Sequence, residues 1–188
     1  MKNFILLIQF FSFGYIQAQK INFYKEDLNF YLDATHFTVE GYYYFSNSSS
    51  TEVTQIIFYP FPDKDNLGIV DSVSVYNTFT NKELSIISKN NSGISFPIFI
   101  DRYGFVKLKI VYRQSLKGNF AEYILTTTKI WGLPLEMASY KLFVPDKIKI
   151  DSISYPADSV KTDKVRDIYY FNKKNFFPKK NFEIYFNY

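Results

Sequence analysis

The chain has 188 residues, a formal net charge of +4, 47% hydrophobic and 21% charged residues, which gives apolar surface enough for one folded domain and excludes global disorder. It contains no cysteine, which excludes disulfides, thiolate chemistry and Cys-based zinc sites. Aromatic residues reach 21%, from 21 Phe, 17 Tyr and 1 Trp, a composition suited to a pleated, half-buried surface.

The N-terminus carries the first ordered signal. Lys2 supplies a positive charge, an apolar run extends from Phe4 to Phe13, and Ile16-Gln17-Ala18 ends on a small residue. This pattern predicts a signal peptide over residues 1–18, cleaved after Ala18, and a secreted or periplasmic protein spanning 19–188 as a single domain. The run is short of the ~20 residues that a bilayer span needs, and no later segment is apolar for long enough to cross a membrane as a helix.

From Thr35 onward the chain alternates with period two. Thr35 to Phe45 places Phe37, Val39, Tyr43 and Phe45 on one face and His36, Thr38, Glu40, Tyr42 and Tyr44 on the other. Asn47 to Ser50 interrupts it. Glu52 to Tyr59 is the next predicted strand, closed by Pro60 and Pro62, which cannot donate to a ladder. Ile69 to Tyr76, Leu84 to Ser88, Gly93 to Ile100 and Gly104 to Tyr112 continue the series, the last two predicted as a hairpin across Asp101 to Gly104. Tyr123 to Pro145 reads as a strand, a corner at Trp131, Gly132 and Pro134, and a second strand with Ala138, Tyr140, Leu142 and Val144 on one face. Lys147 to Tyr155, Asp167 to Asn172 and Asn181 to Tyr188 complete about ten short strands. No segment has helical periodicity, so the predicted fold is all-β, an antiparallel β-sandwich. The basic stretch Lys161 to Lys180 reads as a solvated sheet edge.

Catalytic patterns are tested next. His36 is the sole histidine, and the Gly93-Ile94-Ser95-Phe96-Pro97 segment lacks the second glycine of a nucleophile elbow. There is no H-E-x-x-H, and His36 and Glu40 on one strand stand about 13 Å apart, too far to share a metal. Asp63 to Gly68 opens like a calcium loop, but Leu67 stands where a ligand belongs, so it reads as a polar turn. No catalytic set, metal site or cofactor motif emerges, and the prediction is a non-enzyme. Asp71-Ser72-Val73, Asp151-Ser152-Ile153 and Asp158-Ser159-Val160 resemble bacterial envelope O-glycosylation acceptors, and Asn47 and Asn90 begin N-glycosylation sequons.

The stretches Gly41 to Asn47, Ile56 to Pro60, Val106 to Tyr112, Thr126 to Trp131 and Leu133 to Tyr140 together resemble the non-catalytic N-terminal β-sandwich of M1-type metallopeptidases. The resemblance implies fold alone, because the zinc motif is absent.

Three functions are compatible with this sequence. One is an exported sandwich that acts through contact with another envelope or secreted protein, or as an accessory module. Another is a carbohydrate-binding module that stacks a glycan on Tyr42, Tyr44 or Trp131. The third is a small outer-membrane barrel, suggested by the alternation of Phe182, Ile184, Phe186 and Tyr188 but opposed by Pro60, Pro62, Pro97, Pro134 and Pro145. Lys173, Lys174, Lys179 and Lys180 interleave with Phe176, Phe177 and Phe182 as in strand-tracking proteins, yet export argues against a nucleic-acid partner.

Overall fold

A computed structural model describes residues 21–188; the predicted leader and its predicted cleavage point at Ala18 lie outside the described residues. Within them fourteen strands and one 3-10 helix form, arranged as a large sheet faced by two small ones. The large sheet runs from edge to edge through β12 (Ser159–Thr162), β13 (Arg166–Phe176), β10 (Leu135–Pro145), β1 (Ile21–Leu32), β2 (His36–Asn47), β8 (Phe105–Leu116), β4 (Leu67–Asn77) and β5 (Lys82–Glu83). The opposing layer is split. One half is β3 (Val53–Pro60), β7 (Gly93–Ile100) and β6 (Ser88–Asn90); the other is β11 (Lys149–Ile153), β14 (Phe182–Asn187) and β9 (Phe120–Tyr123).

The fold is therefore all-β and layered, as the alternation predicts, with differences that follow from long-range pairing. The β1–β10 pair is parallel, Leu28 opposite Tyr140, within an otherwise antiparallel arrangement. The predicted hairpin between Gly93 and Tyr112 does not form: β7 pairs with β3 and β6 while β8 pairs with β2 and β4, so the link crosses between layers. The alternation is read only from Thr35 onward, so β1 is an element that the sequence reading misses; β12 is a further addition, and the strand expected over Leu84 to Ser88 is replaced by the short strands β5 and β6. All three sheets are open, and Phe182, Ile184 and Phe186 are fully buried in the core. This arrangement replaces the outer-membrane barrel, which needs a closed sheet and a lipid-facing apolar band. The basic segment does include the edge strand β12.

The core is continuous across the two layers. Phe182 of β14 stacks on Phe30 of β1 with ring centroids 4.7 Å apart and meets Phe171 of β13 edge-on at 5.0 Å. On the other half Tyr59 of β3 meets Tyr43 of β2 at 5.5 Å and Tyr112 of β8 at 6.0 Å. The seam between the halves thus lies over β1 and β2. Asn47, at the end of β2, is 2% exposed and its amide donates to the carbonyls of Thr51, Asp101 and Ile100 at 2.7, 3.0 and 3.3 Å. That nitrogen is consumed by the fold, so the sequon there is closed to glycosylation in the native state.

Gly41 sits in the middle of β2, between Leu28 and Ile110. The ring of Tyr43 folds back over it, into the space that a Cβ would need. Gly41→Ala should lower unfolding free energy by about 1 to 3 kcal/mol through overpacking. Gly118→Ala, where a Cβ meets nothing within 4 Å, should change it by less than ~0.5 kcal/mol. Urea denaturation of both variants checks the contrast.

Candidate ligand-binding site

A cavity of about 230 Å³ opens at the seam, where the free edge of β3 faces β9 and the helix that follows it. Its floor is the inner face of β1 and β2: Phe23, Glu26, Tyr43 and Phe45. Its walls are Tyr59 of β3, Tyr123 of β9 and Trp131.

Glu26 reaches this floor by the period-two alternation of β1. On β1, Leu28, Phe30 and Leu32 face inward, and counting back by two puts Glu26 on the same face. Phe23 also faces inward, and the break in pairing between Phe23 and Lys25 absorbs the odd step. The carboxyl is 1% exposed and accepts a hydrogen bond of 2.5 Å from Tyr140 Oη of β10. Among the described residues no other donor and no cation reaches it. Burial pushes its pKa up to about 7, against the opposing effect of the Tyr140 bond.

Beside it three buried tyrosines meet from three elements. Tyr43 Oη lies 2.7 Å from Tyr59 Oη and 3.0 Å from Tyr123 Oη, which ties β2 to both halves of the split layer. Burial raises the pKa values of all three. These phenols stay neutral at any physiological pH and act as hydrogen-bonding groups.

Backbone groups complete the rim. Ile56 pairs with Pro97 of β7, and proline has no N–H; the carbonyl of Ser95, opposite Phe58, turns away to bind Ile87 N at 2.8 Å. Ile56 and Phe58 therefore stand in non-hydrogen-bonded pairs, which point their own N–H and C=O toward the free edge and the cavity. Their side chains point out of the sheet, 62% and 55% exposed.

The far wall is the 3-10 helix Thr126–Trp131, where continuation of a strand was predicted. Asn181 Oδ1 accepts from Leu125 N, Thr126 N and Thr126 Oγ1 at 3.2, 3.2 and 2.9 Å, so the helix start is capped from β14's end of the fold. Gly132 adopts φ 70° and its N–H closes on Lys129 O at 3.0 Å; Pro134 then leads into β10. The turn leaves Trp131 half-buried over Phe45 and Phe23, with centroids 5.4 and 6.0 Å away. Ile130, 77% exposed, stands at the mouth.

The three aromatics proposed from sequence are not brought together. Trp131 lies on the inner face, whereas Tyr42 and Tyr44 are on the outer face of the large sheet. Lys107 Nζ sits 4.3 Å from the Tyr42 ring and 5.2 Å from that of Tyr44, and Lys25 Nζ covers Tyr44 at 4.7 Å. Tyr44 Oη donates to Asp27 at 2.8 Å. These rings are engaged by neighbouring side chains, so a sugar would have to displace ammonium groups to stack there. His36 is likewise tied to Asp71 at 3.3 Å and to Thr35 Oγ1 at 2.7 Å. Among the described residues, no three His, Asp or Glu side chains are placed to hold a metal ion.

No family model matches the chain, and no curated protein matches it in sequence. In structure it is similar to a "putative nutrient binding protein" (lpg2210) of Legionella pneumophila subsp. pneumophila str. Philadelphia 1, solved by crystallography. That match has a TM-score of 0.69 at 12% identity and covers 90% of this chain and 67% of the other. At such identity the likeness shows the shared all-β fold alone.

Because Glu26 binds a proton more tightly folded than unfolded, its contribution to stability is full below the ordinary carboxylate range and is lost as pH rises through about 7. Relative to Glu26→Gln, the native protein should lose roughly 2 to 3 kcal/mol between about pH 5 and pH 8. Parallel denaturant titrations of the two proteins measure this, and identical pH profiles would contradict it.

Proposed function

We propose that this chain is an exported, non-enzymatic binding module that takes a small, mainly apolar ligand into the cavity at the seam. The observation that carries this reading is the conjunction of a pre-formed cavity, aromatic walls and one buried carboxyl with no second protein donor. Burying a carboxyl is costly unless it is protonated or paired, and Glu26 has one tyrosine hydroxyl for that purpose. The leader predicted at residues 1–18 supports export, and no helix among the described residues is long and apolar enough to cross a membrane. The non-enzymatic reading follows the sequence, in which a sole histidine and the lack of a zinc motif offer no catalytic set.

Trp131 is the only tryptophan in the chain and overhangs the cavity, so its fluorescence reports occupancy. Titration with 2-phenylethanol, a small ring carrying one hydroxyl, should change Trp131 emission saturably. Thr127→Trp would crowd the cavity from its wall, and its fluorescence would no longer be a single reporter; there, binding should be lost as read by calorimetry, with the circular dichroism spectrum retained. Emission of the native protein that never responds would contradict the proposal.

A further inference from the structure

The two carboxylates that are buried among the described residues, Glu26 and Glu122, are treated differently, and the difference points to the ligand. Glu122 on β9, 1% exposed, is neutralised by Lys64 Nζ at 2.8 Å and accepts from Asn181 Nδ2 at 2.7 Å. Glu26, equally buried, has one tyrosine hydroxyl and, among the described residues, no cation. The neighbouring lysine, Lys25, turns to the outer face and pairs with Asp27 at 3.1 Å.

We infer that the missing cation belongs to the ligand: the cavity selects an organic ammonium, a protonated primary or secondary amine on a short apolar body, with its N–H groups on Glu26. This rests on the binding reading above and specifies the substrate class of the same cavity. The walls suit the charge as well as the apolar body. Phe23, Tyr43, Phe45, Tyr59 and Trp131 all line it, and ring faces attract cations more strongly once water is excluded. An apolar cavity of ~150 Å³ accepts benzene, so about 230 Å³ has room for one ring with a short aminoalkyl chain.

Among the described residues, the groups facing Glu26 leave the carboxylate as the only formal charge inside. They are Tyr140 from β10, Tyr43 from β2, Tyr59 from β3 and Tyr123 from β9, all phenols, with Asp27 next to it on β1 but directed outward. An ammonium arriving there restores neutrality and favours the ionised carboxyl, so uptake is coupled to release of the Glu26 proton. Binding of the cation should therefore weaken as pH falls below about 7, while a neutral isostere should be indifferent to pH.

Three isosteric probes separate the possibilities by calorimetry with the intact chain at about pH 8: phenethylammonium, 2-phenylethanol and phenylacetate. The ammonium should bind about tenfold or more tighter than the alcohol, in line with charge-assisted hydrogen bonding, and phenylacetate should bind weakest. Glu26→Gln should bring the ratio of ammonium to 2-phenylethanol affinity down to about one or below, whatever it does to the affinity of either probe alone. Should the alcohol bind as well as the ammonium in the native protein, the cation inference fails and the cavity reading stands. Binding by none of the three overturns both. If Glu26→Gln proves unfolded, the pH dependence in the native protein decides: a preference for the ammonium that does not fall between about pH 8 and pH 5 overturns the inference.

Discussion

The structure depends on how one carboxyl is accommodated between the sheets. Burying Glu26 is unfavourable unless it is protonated or paired, and its immediate surroundings offer a single tyrosine hydroxyl. Several local features converge on this point. The alternation of β1 aims the side chain inward and the register break before it brings Phe23 to the same face, Tyr140 arrives on the parallel strand β10, and Gly41 leaves room for the Tyr43 ring beside it. Moving any of them would either expose the carboxyl to apolar contacts or close the cavity it lines.

The split in the second layer is the counterpart of that constraint. A continuous six-stranded sheet over β1 and β2 would seal Glu26 in a dry core. With β3 and β9 both ending their sheets at the seam, the tyrosine hydroxyls bridge the halves in place of a backbone ladder, and the gap remains open to a ligand. The protein keeps two unmatched edges above its core, and the helix bearing Trp131 covers part of the opening. A polar interior of this kind is less stabilising than close apolar packing would be.

Much of the fold was legible in period-two patterning. The faces of β2 follow from it residue by residue, as do the buried Ala138, Tyr140, Leu142 and Val144 of β10. What patterning could not reach was pairing at a distance: the parallel β1–β10 contact joins residues more than a hundred positions apart, and the short link before β8 is compatible with a hairpin or a crossover. The site was less legible for a specific reason. Tyr42, Tyr43 and Tyr44 are consecutive, and sequence reasoning sought a ligand on the outward pair, whereas the inward Tyr43 lines the cavity. Glu26 was missed although it shares the parity of Leu28, Phe30 and Leu32; a charged residue on an apolar face was the available signal, and the irregularity at Tyr24 and Lys25 obscured it. Trp131 stood out in the sequence as the sole tryptophan, but its neighbours Phe23 and Phe45 come from strands that only the folded molecule brings near.

The central claim is that Glu26 is held buried and without a counter-ion in an accessible cavity, and its own titration measures this most directly. NMR observation of the side-chain carboxyl carbon of Glu26, assigned through Glu26→Gln, should show a midpoint near 7 in the free protein, shifted downward when phenethylammonium is present. A midpoint within the usual glutamate range of about 4 to 4.5, unmoved by the amine, would contradict the account.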